Sequence, residues 1–128
     1  MCLISKWRFA KKTSHDIVCY KVLDKWEDVY YTPYMGTIVD INRILKAQGS
    51  SFSFFEPKEK GAGYIHTFVT LDCAKKYIFE MGCKNPVIFK CIIPKGTKYH
   101  ISKDCIEFCS KKIDFKSQVP SYEIYNLH

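Results

Sequence analysis

A chain of 128 residues, 47% hydrophobic and 16% aromatic, is ample for one packed domain over residues 1–128 and can bury roughly two thirds of its unfolded surface without staples. Twenty Lys and Arg against thirteen Asp and Glu give a formal charge of +7, which suits an anionic partner. Only Arg8 and Arg43 are arginines and no run of five basic residues occurs, which argues against a nucleic-acid tail or a sequence-specific duplex reader, both of which lean on clustered or bidentate cations.

In chain order, the basic first 14 residues read as a loosely attached arm or an edge strand. Asp16 to Leu23 (DIVCYKVL) is rich in β-formers and predicts a strand, and Asp28 to Thr32 a shorter one, broken by Pro33 and Gly36. From Thr37 to Ala47 the pattern is open: Ile38, Ile41, Ile44 and Leu45 recur at helical spacing, while the β-branched start suits a strand. Ser50 to Gly63 (SSFSFFEPKEKGAG) reads as a loop that Phe52, Phe54 and Phe55 pin to the core or that folds over a ligand as a flap.

Tyr64 to Val69 predicts a strand, followed by Thr70 as N-cap of a helix from Leu71 to Met81 that Gly82 ends. Leu71, Ala74, Ile78 and Met81 share one face of it, and Lys75 and Lys76 lie on the other side. Val87 to Ile93, a Pro94-Lys95-Gly96-Thr97 turn, and Lys98 to Ser102 form a hairpin, and Lys112 to Phe115 and Tyr122 to Tyr125 look like further strands. The expected fold is α+β: a mostly antiparallel, twisted sheet of six or seven strands with one or two packed helices.

The seven cysteines are odd in number, and the apolar patch near the start is too short for a signal or a membrane span. Reduced thiols, a cytoplasmic location and no membrane are therefore expected. The Cys105-x-x-x-Cys109 spacing lacks a second pair, so no metal is expected.

No P-loop, GxGxxG or GxSxG is present, the glutamates form no tight constellation, and no cofactor is expected. What stands out is the interleaving of aromatics with lysines: Tyr20-Lys21, Tyr34, Tyr64, His66 and Phe68, and Lys98-Tyr99-His100. Aromatic faces stack on nucleobases and lysines meet phosphates. The same pattern is also what half-buried strands produce by alternation.

Several motifs in order (MCL at the start, DIVCYKVL at 16–23, TPYMG at 32–36, GYIHTF at 63–68, an Ala-Lys-Lys helix at 74–76 and KCIIPKGTKYH at 90–100) resemble a group of small phage and prophage proteins without an established activity. That resemblance implies a protein acting inside an infected bacterial host. A fainter resemblance is to ADP-ribosyltransferases, through a tyrosine–basic pair on a first strand, a polar-Thr strand before a helix, and Ile-Pro-Lys-Gly-Thr. It implies an ADP-ribosyltransferase-like scaffold with Lys21 at the family's basic position, His66-Thr67 on its middle strand, and Ser110-Lys111-Lys112 where the family's late loop carries its glutamate.

A lysine has the wrong charge to stabilise a developing oxocarbenium ion, so the resemblance implies a retained NAD-type pocket without transfer chemistry, unless Glu107 from the same loop substitutes. The expectation is a non-catalytic anti-defence protein that sequesters a nucleotide-derived immune signal. A base would stack on aromatics of the first and middle strands, His66 or Thr67 would bond a ribose, and Lys21, Lys95, Lys111 or Lys112 would meet phosphates. A closed pocket is expected, at a homodimer interface or under residues 50–63. The alternatives are an interaction protein that inhibits a host enzyme through a basic surface, and an active ADP-ribosyltransferase.

Overall fold

A computed structural model describes residues 7–33, 36–47 and 64–125. Tyr34 and the loop at 50–63 lie outside the described residues. The centre of the fold follows from two sequences that are apolar on both faces. Strand β2 (Ile17–Trp26) and strand β7 (Pro86–Ile93) make eight consecutive antiparallel pairs, from Ile17↔Ile93 to Asp24↔Pro86. Directly opposite residues share a face, so Cys19, Lys21 and Leu23 stand with Cys91, Phe89 and Val87, and Tyr20 and Val22 stand on the other side with Lys90 and Ile88.

The remaining elements are β1 (Lys11–Lys12), β3 (Val29–Tyr31), β4 (Ile38–Val39), β5 (Leu45–Lys46), β6 (Ile65–Phe68), α1 (Leu71–Met81), β8 (Lys98–Ile101), β9 (Glu107–Ser110), β10 (Lys112–Gln118) and α2 (Ser121–Ile124). The sheet order is β1-β8-β9-β6-β2-β7-β10-β5, with β3 pairing β2 and β4. Every strand pairing among the described residues is antiparallel. The fold is thus α+β, with ten short and long strands among the described residues where the sequence pattern resolves six or seven.

Two apolar clusters lie on opposite faces. One joins Cys19, Leu23, Phe89, Cys91, Ile93, Phe108 and Ile113 and is closed over by Tyr30, Val39, Ile41 and Leu45 from the β3–β5 stretch. The other packs Ala74 and Ile78 of α1 and Ile124 of α2 on Val22, Phe68 and Ile88. The first strand-like arm is an edge from Trp7 onward: Trp7 is buried and bridges Ser102, Arg8 N–H donates to the Ile101 carbonyl, and the Thr13 hydroxyl donates to the Pro94 carbonyl.

Residues 37–47, open between helix and strand in the sequence, form the two-residue strands β4 and β5. Tyr122 to Tyr125, expected as a strand, instead forms most of α2 and its C-cap Tyr125. Pro120 at φ −57° leads into that turn, only Ile124 is buried, and Tyr122 and Tyr125 are 71% and 58% exposed. One buried side chain in four is what a single helical turn needs, whereas a strand in a sheet would bury alternate residues.

Helix α1 has the predicted ends. The Thr70 hydroxyl accepts from Cys73 N–H at 3.2 Å, and Gly82 stands at φ +63°, its N–H bonded to the Ile78 carbonyl. A side chain at Gly82 meets no neighbour, so its cost is conformational. Gly82→Ala is expected to lower stability by about 1 kcal/mol, the cost of an L-residue in the left-handed region, measurable by urea unfolding.

Candidate functional site

The site arises where two neighbouring strands part. β2 and β6 pair at a single position, Tyr20↔Phe68. Continued, the ladder would place Lys21, Val22 and Leu23 against Thr67, His66 and Ile65, but those pairs are not made. β6 follows β9 instead, in four pairs from Ile65↔Ser110 to Phe68↔Glu107. In the wedge between them the Lys21 ammonium donates to the His66 carbonyl at 2.8 Å, a side-chain bridge where the backbone ladder has stopped.

A cavity of about 570 Å³ occupies the wedge, within the size range of small-ligand pockets. Lys21 and Val22 form the β2 wall, and Tyr64, Ile65, His66 and Phe68 the β6 wall. Tyr77 and Met81 come from α1, Glu107 from β9, and Thr32, Pro33, Thr37 to Val39 and Leu45 to Ala47 from the stretch that folds across the first face. The lining is apolar in the main, with Lys21, Lys46, His66, Glu107, two threonines and the hydroxyls of Tyr64 and Tyr77 as its polar groups.

Lys21 is the unusual member. It is only 8% exposed, and among the described residues its ammonium has one hydrogen-bond acceptor, a neutral carbonyl, and no carboxylate. Burial lowers its pKa from 10.5 to about 8, against the opposing pull of the Cys91, Cys109 and Cys19 thiols. A buried cation without an ion-pair partner is costly, and its placement on a cavity wall marks the spot where an anion would repay that cost.

Beside the cavity lies a second polar cluster. His66 Nδ1 is 3.3 Å from Cys109 Sγ, and the Trp7 ring stands edge-on to His66 at 5.8 Å. His100 is fully buried; its Nδ1 lies 2.7 Å from the Arg8 carbonyl and its Nε2 3.4 Å from the Tyr64 hydroxyl. A carbonyl only accepts, so the network assigns the proton to Nδ1 and leaves Nε2 to accept from Tyr64. Lys111 Nζ sits 4.2 Å above the Tyr64 ring, a cation–π contact that orients a ring of the cavity wall.

Of the residues singled out in the sequence, Lys21, Tyr64, His66 and Phe68 come together in the cavity, and Glu107 joins them. Tyr20 lies opposite Phe68 and packs under α1. Thr67 is fully buried on the opposite face from His66, and its hydroxyl finds no hydrogen-bond partner of good geometry among the described residues, with the Cys19 thiol beside it. Lys95 is exposed in the β7–β8 turn, where its N–H donates to Asp16 Oδ1. Lys111 lies over the Tyr64 ring of the cavity wall and is not itself a lining residue. Lys112 is exposed and stands opposite Lys46, which does line the cavity.

Lys46, Thr37, Tyr77 and Met81 were not singled out in the sequence. Lys46 had a signal in retrospect, as the one cation in the Leu45-Lys46-Ala47 run, but nothing local ties it to β10. Among the described residues no three His, Cys, Asp or Glu side chains gather as metal ligands, and no helix is long and apolar enough to cross a membrane.

Opposed titrations give the site a pH signature. Between pH 8 and 10.5 the unfolded chain keeps a proton that folded Lys21 has released, so stability rises with pH there. Cys19, raised to about 11 by burial, and Cys91, raised further by burial, stay protonated in the fold after unfolded thiols ionise near 9.0. Their stabilisation is therefore lost above pH 9. Lys111, lowered by burial, adds to the rise, and Cys83, Tyr64 and Tyr77, raised by burial, add to the fall. The unfolding free energy is expected to climb from pH 8 to about 9 and then decline, and Lys21→Met should flatten most of the climb in urea titrations across that range.

Comparison with protein-family models, with curated proteins and with solved structures found no match.

Proposed function

We propose that the protein binds and sequesters a small, anionic, nucleotide-type ligand in the wedge between β2 and β6, without transforming it. The observation that carries this reading is Lys21: a buried ammonium, without a carboxylate among the described residues, on the wall of a ligand-sized cavity. A phosphate there gains a charge-assisted hydrogen bond in a low-dielectric setting, where such bonds are strongest. Lys46 supplies a second cation on the same lining.

The rest of the lining fits the other parts of a nucleotide. Phe68, Tyr77 and His66 offer aromatic surface for a base. Thr32, Thr37 and Glu107 offer hydroxyl and carboxylate partners for ribose hydroxyls. With the resemblance to phage proteins, the role is that of an anti-defence sponge, which removes a nucleotide signal from a bacterial host by stoichiometric capture in the cytoplasm.

A second reading, transfer of an ADP-ribosyl group on a scaffold that resembles ADP-ribosyltransferases, is favoured by one observation: Glu107 lines the same cavity as Lys21 and His66, so a carboxylate is present to face a developing positive charge. One experiment separates the readings. The protein is incubated with a nucleotide mixture, desalted, heat-denatured, and the released small molecules are identified by mass spectrometry. About one intact nucleotide per chain is expected, with none from Lys21→Met. Consumption of NAD with modification of a protein would establish the transferase instead. An empty protein that captures a host enzyme would overturn both in favour of an inhibitor acting through its basic surface.

A further inference from the structure

Lys21 offers more than charge. A lysine acts as a nucleophile when four conditions coincide: the amine is accessible to a ligand, it is shielded from bulk water, some of it is unprotonated near neutral pH, and a proton-transfer group is at hand. Lys21 lines the cavity while being buried, its neighbours there include Val22, Ile65 and Phe68, and His66 and Glu107 stand on the same lining. Its hydrogen bond to the His66 carbonyl fixes the nitrogen at the wall and leaves a lone pair free once the proton departs.

We propose that Lys21 is a nucleophilic amine that condenses with the carbonyl carbon of a phosphate-bearing aldehyde, including a reducing sugar phosphate in its open-chain form, to give a reversible imine. The neutral Nζ attacks the carbonyl carbon and the C=O electron pair moves to oxygen. Proton transfers give a carbinolamine. The hydroxyl leaves as water with one added proton, and the nitrogen pair forms C=N. No oxidant or reductant is required, and water reverses the step. Glu107 or His66 carries the proton between nitrogen and the departing oxygen, and Lys46 meets the phosphate. The inference rests on the reading that this cavity takes a phosphate-bearing ligand, and it adds that a carbonyl ligand is held covalently.

The lowered pKa of Lys21, about 8 in place of 10.5, leaves a far larger free-amine fraction near neutral pH than an exposed lysine has. At pH 7.5 labelling at least ~10-fold faster than at any exposed lysine is expected from that difference.

The probe is pyridoxal 5′-phosphate, with pyridoxine 5′-phosphate, which lacks the aldehyde, as competitor. Borohydride reduction, intact mass and peptide mapping give the readout. One reduced adduct per chain is expected, on the peptide that contains Lys21. It should be slowed by pyridoxine 5′-phosphate and absent from Lys21→Arg and Lys21→Met, with circular dichroism confirming that each variant is folded. Labelling spread over exposed lysines, or undiminished in Lys21→Arg, overturns the proposal. If pyridoxine 5′-phosphate binds and Lys21 stays unlabelled, the imine is refuted while the ligand cavity stands. If neither compound engages the cavity, the imine is refuted together with a phosphate site there.

Discussion

Lys21→Met is expected to abolish ligand capture and, in the same variant, to raise stability at pH 7 by ~2 kcal/mol. The two effects have one origin. Lys21 is 8% exposed and its ammonium holds a neutral carbonyl as its single acceptor among the described residues, so the fold carries the desolvation cost of a charge without an ion pair to offset it. Methionine keeps most of the length and packs as a flexible apolar chain. It frees the His66 carbonyl, but that group borders the cavity, where water can reach it. For a chain of this length the gain corresponds to a rise in Tm of about 7 °C. A gain in stability joined to a loss of binding distinguishes a functional lysine from a structural one, whose removal would cost stability. Thermal melts with and without nucleotide, on wild type and variant, read both effects.

The second large effect is expected at Phe89, which stands directly opposite Lys21 on the same face of the β2–β7 ladder. It is buried, with edge-on contacts to Tyr30 at 5.3 Å and Phe115 at 5.6 Å. It therefore ties β3 and β10 to the central strand. Phe89→Ala removes that anchor and leaves a void, at a cost of about 3–5 kcal/mol, a large share of the roughly 5–15 kcal/mol by which a domain is stable. Urea unfolding should show the midpoint fall with little change in slope. The same void lies beside Lys21, so where the variant stays folded, water entry should move the lysine's titration back toward 10.5. Phe115→Ala, at the edge-on neighbour of Phe89, should cost less because Phe115 is only half buried.

Elements set by local signals are legible in the sequence, and those set by non-local pairing are not. Helix α1 is largely legible: the Thr70 cap and the Gly82 stop are local signals with their expected geometry, and Leu71, Ala74 and Ile78 pack as spaced, while Met81, expected on the same face, is 50% exposed at the helix end. The two-sided apolar runs of β2 and β7 likewise announce central strands. Strands of two to four residues, such as β1, β4, β5 and β9, carry too few side chains for any periodicity to register. At α2 the β-formers Tyr122 and Tyr125 point toward a strand, and the turn set up after Pro120 prevails because only Ile124 has a core to enter.

The site shows the same division. Lys21 and His66 are noticeable in the sequence, as a lysine inside an apolar strand and a histidine in the next aromatic one. Their meeting is a tertiary event: it depends on β6 leaving β2 after the single Tyr20↔Phe68 pair and following β9. No local pattern encodes where two strands part. For the same reason Lys46 enters the lining through pairing with β10, and Lys112, more conspicuous in the sequence, faces solvent across from it.

An anionic ligand is expected to bind in the wedge between β2 and β6, with Lys21 at its wall. Amide chemical shifts of isotope-labelled protein, titrated with ADP-ribose as probe, test it residue by residue. Saturable shifts at Lys21, Val22, Ile65, His66 and Glu107, lost in Lys21→Met, are the predicted result. Shifts confined to the sheet-edge lysines Lys11, Lys12 and Lys98, or shifts that persist unchanged in Lys21→Met, would contradict it.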